Sequence, residues 1–308
     1  MCAGGDSMAE QRLPKVEWPT LVLVAGCYGL YALGTVWAAQ LWLPLGMALT
    51  IVALALHSSL SHEVLHGHPF QNKVLNAALV FPAIGLFVPY LRFKDTHLDH
   101  HLDSRLTDPY DDPESNYLYA EDWQALSKWR QAVLLFNNTL VGRLLVGPLV
   151  GQVCFMVSDW QAILGGDRRV LAGWLWHVPA VLVVVWWMRT FGAVPGWAYL
   201  ICAYAALSIL KIRTFLEHQA HERARGRTVI IEDRGPLAWI FLNNNLHVVH
   251  HMHPKMPWYR LPELFRSNRE RYLSRNDGYY FASYGEVFRR FFWRRKDPVA
   301  HPLWKRDG

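Results

Sequence analysis

The chain has 308 residues, of which 52% are hydrophobic and 15 are tryptophan, and it carries a formal net charge of +6. This composition favours a polytopic membrane protein over one or two soluble domains. Its four cysteines show no C-x-x-C spacing, so neither a disulfide framework nor a thiolate zinc site is indicated. The positive charge lies outside the apolar runs, which suits an anionic membrane face or an acidic redox partner, and no nucleic-acid-binding signature accompanies it.

Four uncharged runs predict membrane-spanning helices arranged in two hairpins. They cover residues 18–40, 41–60, 170–188 and 191–210. Each is about long enough to cross a hydrocarbon core of about 30 Å. Both hairpins begin and end on one side of the membrane, which places the N-terminus, residues 61–169 and residues 211–308 in the same compartment. Because Lys and Arg dominate on that side, we predict that it is the cytoplasm.

The predicted fold is therefore all-α, with residues 1–308 forming a single polytopic membrane domain. It contains about four transmembrane helices, interfacial helices and a cytosolic, histidine-rich cap. Residues 75–91 are too short and too interrupted by proline for a span, and they predict a re-entrant or interfacial segment. Residues 131–158 predict an interfacial helix or a less regular span.

Histidines recur at helix spacing in three clusters. These are His62 and His66; His97, His100 and His101; and His247, His250 and His251. Residues at i, i+3 and i+4 share one face of a helix, so the imidazoles of each cluster converge. A buried neutral histidine needs a partner for each ring nitrogen, so a role in the core explains the repeat poorly. We interpret the clusters as metal ligands.

Further polar residues lie close to these clusters. His218 follows the last predicted span and is a ninth candidate ligand, while His68 and His221 are secondary candidates. Glu63 is either a partner that orients an imidazole or a solvated charge. The acidic loop 108–114 is expected to be a solvated connector, except for one or two carboxylates that support the ligands. The segment 243–245, which is Asn-Asn-Asn, is expected to cap the helix that carries the third cluster, with a hydrogen bond to a metal-bound water as the alternative.

Nine candidate imidazoles are too many for one zinc ion, which takes four protein ligands. They suit two first-row metals with open positions, and nitrogen ligation is compatible with iron. Two irons beside membrane helices indicate dioxygen activation against an unactivated C–H bond of a lipid substrate. The membrane then serves as the solvent from which that substrate is drawn.

The motifs HEVLHGH, HLDHH and HVVHH, in this order around two hydrophobic hairpins, resemble the three histidine boxes of the membrane fatty acid desaturase superfamily. The NNNLH that opens the third box and the PWYRLP that follows it are similar to bacterial acyl-lipid desaturases. His218, within Glu-His-Gln, matches an additional histidine of such enzymes. Carotenoid ketolases and hydroxylases share this layout, and alkane and sterol oxygenases use related boxes.

The resemblance implies a non-haem di-iron enzyme with dioxygen as co-substrate that desaturates a fatty acyl chain, with a carotenoid ketolase or other lipid hydroxylase as the alternative. It implies a bacterial inner-membrane location and a separate electron donor of the ferredoxin or cytochrome b5 type, because the chain has no fused haem or iron–sulfur motif. A non-catalytic metal transporter is disfavoured because the clustered histidines flank the spans.

The basic C-terminal tail is a candidate docking surface for an acidic donor, and anionic lipid is the alternative partner. It contains Arg266, Arg269, Arg271, Arg289, Arg290, Arg294 and Arg295.

Overall fold

A computed structural model describes residues 14–102 and 105–304 of the chain. Their contacts divide into two compact units. The span unit consists of residues 14–94 and 149–210. The histidine unit consists of residues 95–148, except 103–104, and 211–304.

Helices dominate both units, and the predicted all-α class is confirmed to that extent. In chain order the helices are α1 (Trp18–Leu41), α2 (Leu43–Leu65), α3 (Lys73–Leu79), α4 (Tyr90–His100), α5 (Ala120–Ala125), α6 (Lys128–Asn137), α7 (Leu140–Leu145), α8 (Gly147–Leu164), α9 (Arg168–Thr190), α10 (Gly196–Arg213), α11 (Pro236–Ile240), α12 (His247–Met252), α13 (Leu261–Ser267), α14 (Arg269–Arg275) and α15 (Tyr284–Phe291). Two short parallel strands, β1 (Ile230–Ile231) and β2 (Tyr280–Phe281), pair with Ile230 opposite Tyr280.

Three of these helices, α1, α2 and α9, are long and apolar enough to cross a membrane. They correspond to three of the four predicted spans, and α2 continues beyond its predicted end through His62 to Leu65. The fourth predicted span is not confirmed. Helix α10 has 18 residues, begins after Pro195 and carries Lys211 and Arg213 in its last turn, so its apolar part is shorter than the sequence suggested.

Small residues and a π-helical turn shape the pairing of α1 with its neighbours. A Cβ atom on Gly46 of α2 would lie 2.6 Å from the Cα atom of Ala39, so glycine is required for this close approach. The π turn Leu33–Ala38 breaks the regular α-helical ladder. The carbonyl of Thr35 in this turn accepts a hydrogen bond from the backbone N–H of Ala193 at 2.8 Å. The turn therefore provides a tertiary contact that a regular helix would not offer.

Hydrophobic packing in the histidine unit orients the third histidine cluster. Val248 and Val249 of α12 are fully buried and pack in a core with Ile230, Leu264 and Phe265. On helix α12 the two valines lie on the face opposite the three histidines. Burial of the valines therefore turns the imidazoles to the other side of the helix.

A buried ion pair joins three helices of the span unit. The guanidinium of Arg92 donates to both carboxylate oxygens of Asp159, at 2.9 and 2.8 Å, and the Trp174 Nε1–H donates to the same carboxylate at 2.8 Å. Replacing Asp159 with alanine should cost about 3–5 kcal/mol of stability, because it leaves the Arg92 charge buried without its partner. The measurement is thermal unfolding in detergent.

The matched control is Asp99→Ala, which removes the ion pair between Asp99 and Arg105. The side chain of Asp99 is 48% exposed and that of Arg105 is 47% exposed. Exposed pairs contribute about 0–1 kcal/mol, so this variant should unfold close to the wild type. Equal losses in the two variants would contradict a special role for the buried pair.

Candidate metal centre

Four imidazoles of the histidine unit form a first group. They are His100, His218, His247 and His251. The Nε2 atom of His218 lies 2.8 Å from Nε2 of His100 and 3.0 Å from Nε2 of His247, and the Nε2 atoms of His247 and His251 are 3.1 Å apart. Helix α4, the segment after α10 and helix α12 each contribute to this group. The ligand-type nitrogens therefore converge from three distant parts of the chain.

A second group, of three imidazoles in the histidine unit, lies beside the first. The Nε2 atom of His101 is 3.0 Å from that of His97 and 3.1 Å from that of His250. The rings of His101 and His251 are stacked with centroids 4.4 Å apart, so the two groups are in contact. The i, i+3, i+4 spacing of both boxes distributes their histidines between the two groups.

The remaining predicted ligands, His62 and His66, belong to the span unit. Both lie at the end of α2, and their ring centroids are 4.9 Å apart in an edge-to-face arrangement. The helix therefore presents the two imidazoles as neighbours, as the i, i+4 spacing predicted. Their membership of the metal centre stays a prediction from the sequence.

Two carboxylates of the acidic loop orient the histidines of the second box. The Nδ1 atom of His100 lies 2.7 Å from the carboxylate of Asp112, and Nδ1 of His97 lies 2.9 Å from that of Glu114. A carboxylate accepts a hydrogen bond from Nδ1–H, which leaves the lone pair on Nε2. Asp112 and Glu114 thus direct the lone pairs of both rings into the groups. The expectation that one or two loop carboxylates support the ligands agrees with this geometry.

The asparagine segment supports a ligand instead of capping a helix, so the predicted capping role is wrong. The residue that precedes α12 is Leu246, and no side chain caps this helix. The Nδ1–H of His247 donates to Oδ1 of Asn244 at 3.2 Å, and Asn244 Nδ2 donates to Glu217 at 3.3 Å. Because the side chain of Asn244 is held by Glu217, it can orient the His247 ring from behind.

Burial favours the neutral form of His97, His218 and His247. Burial first, and then neighbouring imidazoles, lower the pKa of His218 and of His247 well below the ordinary value. Burial would also lower the pKa of His100, but Glu114 and Asp112 outweigh it and raise that pKa to about 9. Neutral imidazole is the form that binds metal. His100 is the ring whose surroundings most strongly attract a cation.

The donor set fits a metal. The Nε2 atoms of the first group face one another at 2.8–3.1 Å, and in His100 and His247 an oxygen acceptor engages the opposite nitrogen, Nδ1. Nε2 lone pairs that converge on one point can be shared by a single cation. Four nitrogen donors within 4.8 Å of one another match the coordination number of a first-row metal. The first group can hold one ion, and the three imidazoles of the second can hold another.

The C-terminal segment fixes the position of His218, which the sequence did not indicate. The buried Lys296 Nζ donates to the carbonyl of His218 at 2.9 Å. The Tyr117 hydroxyl donates to Asp297 and accepts the backbone N–H of Ala220 at 2.9 Å. These contacts brace the non-helical segment that carries His218. No local pattern marks Lys296, because its partner lies 78 positions away in the chain.

Other histidines, among them the secondary candidates His68 and His221, lie outside the two groups. Nε2 of His221 is 3.9 Å from Asp277, while His68 lies with Glu17 and Glu63. His57 contacts the Tyr28 hydroxyl at 3.2 Å. His177 donates to the Leu86 carbonyl at 2.7 Å.

Removing bound metal should destabilise the protein. A ligand that binds only the folded state adds about 2.7 kcal/mol when present at 100 times its dissociation constant. We therefore expect dialysis against a strong chelator to lower the unfolding temperature, and added Fe²⁺ to restore it. Metal analysis beside thermal unfolding checks this, and identical unfolding temperatures of stripped and reloaded protein would contradict it.

Apolar helices of spanning length and buried groups of histidines define a histidine-rich, metal-binding membrane protein. A family model described as fatty acid desaturase matches residues 36–284. The chain is 26% identical over 235 residues to a β-carotene ketolase of Paracoccus sp. (strain PC1), which covers 73% of this chain and 76% of that protein. The chain belongs to the fatty acid desaturase family and is an oxidoreductase.

Proposed function

We propose that the protein is a dioxygen-dependent, di-iron membrane oxidoreductase that introduces a double bond into a fatty acyl chain. The observation that supports this proposal is the pair of contacting, buried imidazole groups, held by carboxylates and an amide. Bound iron would supply the activation of dioxygen against a C–H bond. We further propose, from the histidine-box pattern, that His62 and His66 supply imidazoles to the second iron.

The residues of the chain have distinct tasks in this proposal. The nine imidazoles hold the irons, and Asp112, Glu114 and Asn244 fix the tautomers of three of them. Burial favours the neutral form of His97, His218 and His247 and keeps water away from the reacting carbon. The apolar helices give access to a substrate dissolved in the bilayer. Regiochemistry then depends on how the chain positions the acyl group beside the irons.

The overall reaction balances with an external reductant. One CH₂–CH₂ unit, one O₂, two electrons and two protons give one CH=CH unit and two waters. We propose that a ferredoxin or cytochrome b5 type protein delivers the electrons at the cytoplasmic face of a bacterial inner membrane. The basic tail is the proposed docking surface, because its arginines complement an acidic donor.

Carotenoid oxygenation is a second candidate function, favoured by the similarity to a protein named β-carotene ketolase. Converting a ring CH₂ to a ketone uses the same kind of metal centre, but oxygen enters the product instead of leaving entirely as water. The histidine boxes serve both reactions, so the ligand set does not separate them.

Lipid analysis of a host that expresses the chain separates the two functions. We expect new unsaturated acyl chains in total lipid extracts. In a host that also makes β-carotene, we expect the carotenoid to stay unchanged. Oxygenated carotenoid with unchanged acyl chains would replace the first proposal with the second. The matched control is a host that expresses the His250→Ala variant at equal level. No new product in either host, with the electron donor supplied, would overturn both.

A further inference from the structure

A second kind of cluster of possible metal ligands lies in the span unit, outside the imidazole groups. It consists of Glu17, Glu63 and His68, which are only 3%, 6% and 1% exposed. Glu17 immediately precedes α1, Glu63 lies in the last turn of α2, and His68 follows that helix. One possible ligand atom from each residue lies within 4.8 Å of the others.

The backbone holds these three side chains in place. The Glu17 N–H donates to the Pro69 carbonyl at 3.0 Å, and Val16 and Phe70 form an antiparallel bridge. The start of α1 is therefore fastened to the segment after α2. This arrangement does not depend on the imidazole groups of the histidine unit.

The polar atoms of the group are incompletely satisfied. Nδ1 of His68 lies 2.7 Å from Oε1 of Glu17, so Nδ1–H donates to that carboxylate. The opposite nitrogen, Nε2, faces Oε1 of Glu63 at 3.9 Å, which is too long for a hydrogen bond. Nε2 of His68 and Oε2 of Glu17 are buried and have no hydrogen-bond partner among the described residues. Buried polar atoms of this kind need a partner.

The charge of the group points to a cation as that partner. Two carboxylates and one imidazole, all buried, place acidic oxygens and a nitrogen together in a region that water does not reach. A divalent cation between the carboxylates and Nε2 would neutralise both carboxylates. Zinc accepts this combination of imidazole nitrogen and carboxylate oxygen, with three protein ligands and a water in the fourth position.

We propose that Glu17, Glu63 and His68 bind one divalent transition-metal ion of the zinc class, separate from the di-iron centre, that ties the start of α1 to the end of α2. The ion has a structural role, because all three proposed ligands are buried and belong to helix ends. This proposal does not rest on the proposed function.

Zinc binding to detergent-purified protein, stripped with chelator and re-equilibrated with zinc, tests the site. Glu17→Gln and His68→Gln should each bind about one zinc per chain less than the wild type. Glu121→Gln, at an exposed position of α5, is the matched control and should bind as the wild type does. A variant with both His100→Ala and His250→Ala should retain the ion, which separates this site from the proposed di-iron centre.

Wild-type protein gives an independent measurement that does not depend on whether the variants fold. Crystals grown with zinc should show an anomalous scattering peak about 2.0–2.2 Å from His68 Nε2 and a Glu17 oxygen. If a proton on His68 balances the carboxylates instead, the position will show no peak and the wild type and both variants will bind equal zinc. Either result would overturn the proposal, whatever lipid product the enzyme makes.

Discussion

Replacing His100 or His250 with alanine should abolish lipid oxidation and lower bound iron by about one ion per chain. His100 belongs to the first imidazole group and His250 to the second, so each variant removes a ligand from a different group. Removing one of few nitrogen donors lowers the affinity for the metal, and both irons are needed for turnover. Iron analysis of purified protein and lipid analysis of the expressing host provide the two measurements.

The control for this prediction is His221→Ala. His221 was a candidate ligand by sequence, but its ring lies beside Asp277, outside both groups. This variant should keep its iron and its activity. Full activity of His100→Ala or His250→Ala would refute their assignment as ligands, and loss of iron from His221→Ala would show that the ligand set is drawn incorrectly.

Replacing Asp112 with asparagine should weaken iron binding or activity by about 10–100-fold. The carboxylate of Asp112 holds Nδ1 of His100 at 2.7 Å and also accepts the backbone N–H groups of Thr107 and Glu114. The asparagine amide presents an NH₂ group on one side. It therefore no longer favours the His100 tautomer whose lone pair lies on Nε2. Iron titration of the stripped protein, followed by thermal unfolding, measures the loss.

The neighbouring residue provides the matched control. Asp111 is exposed and has the same charge, so Asp111→Asn changes the net charge of the loop in the same way without contacting an imidazole. It should bind iron like the wild type. Equal losses in the two variants would mean that loop charge, and not the hydrogen bond to His100, determines iron affinity.

Local patterns predicted much of the fold and of the site. Three uncharged runs became the spanning-length helices α1, α2 and α9. The fourth run is not confirmed as a span, because its helix begins after Pro195 and ends with Lys211 and Arg213 in its last turn. The i, i+3, i+4 spacing places the histidines of each box on one helical face, and the structure divides each box between the two groups.

Residues whose roles depend on distant partners could not be predicted equally well. Nothing local distinguishes Asp112 from Asp111, although one is buried against an imidazole and the other is exposed. Asn244 matched the pattern of a helix cap, but contact with Glu217 directs it to His247. In both cases the decisive contact joins segments that only folding brings together.

The sequence by itself determined the family, the spanning length of three apolar helices and the histidines of the three boxes, since periodicity and composition act within one segment. The tertiary structure decided how seven imidazoles divide into two groups and which oxygens orient them. It also placed His218 against His100, 118 positions away, and set His68 apart with two glutamates. The physical reason is that coordination needs atoms within a few ångströms, and for segments far apart in the chain only packing determines that distance.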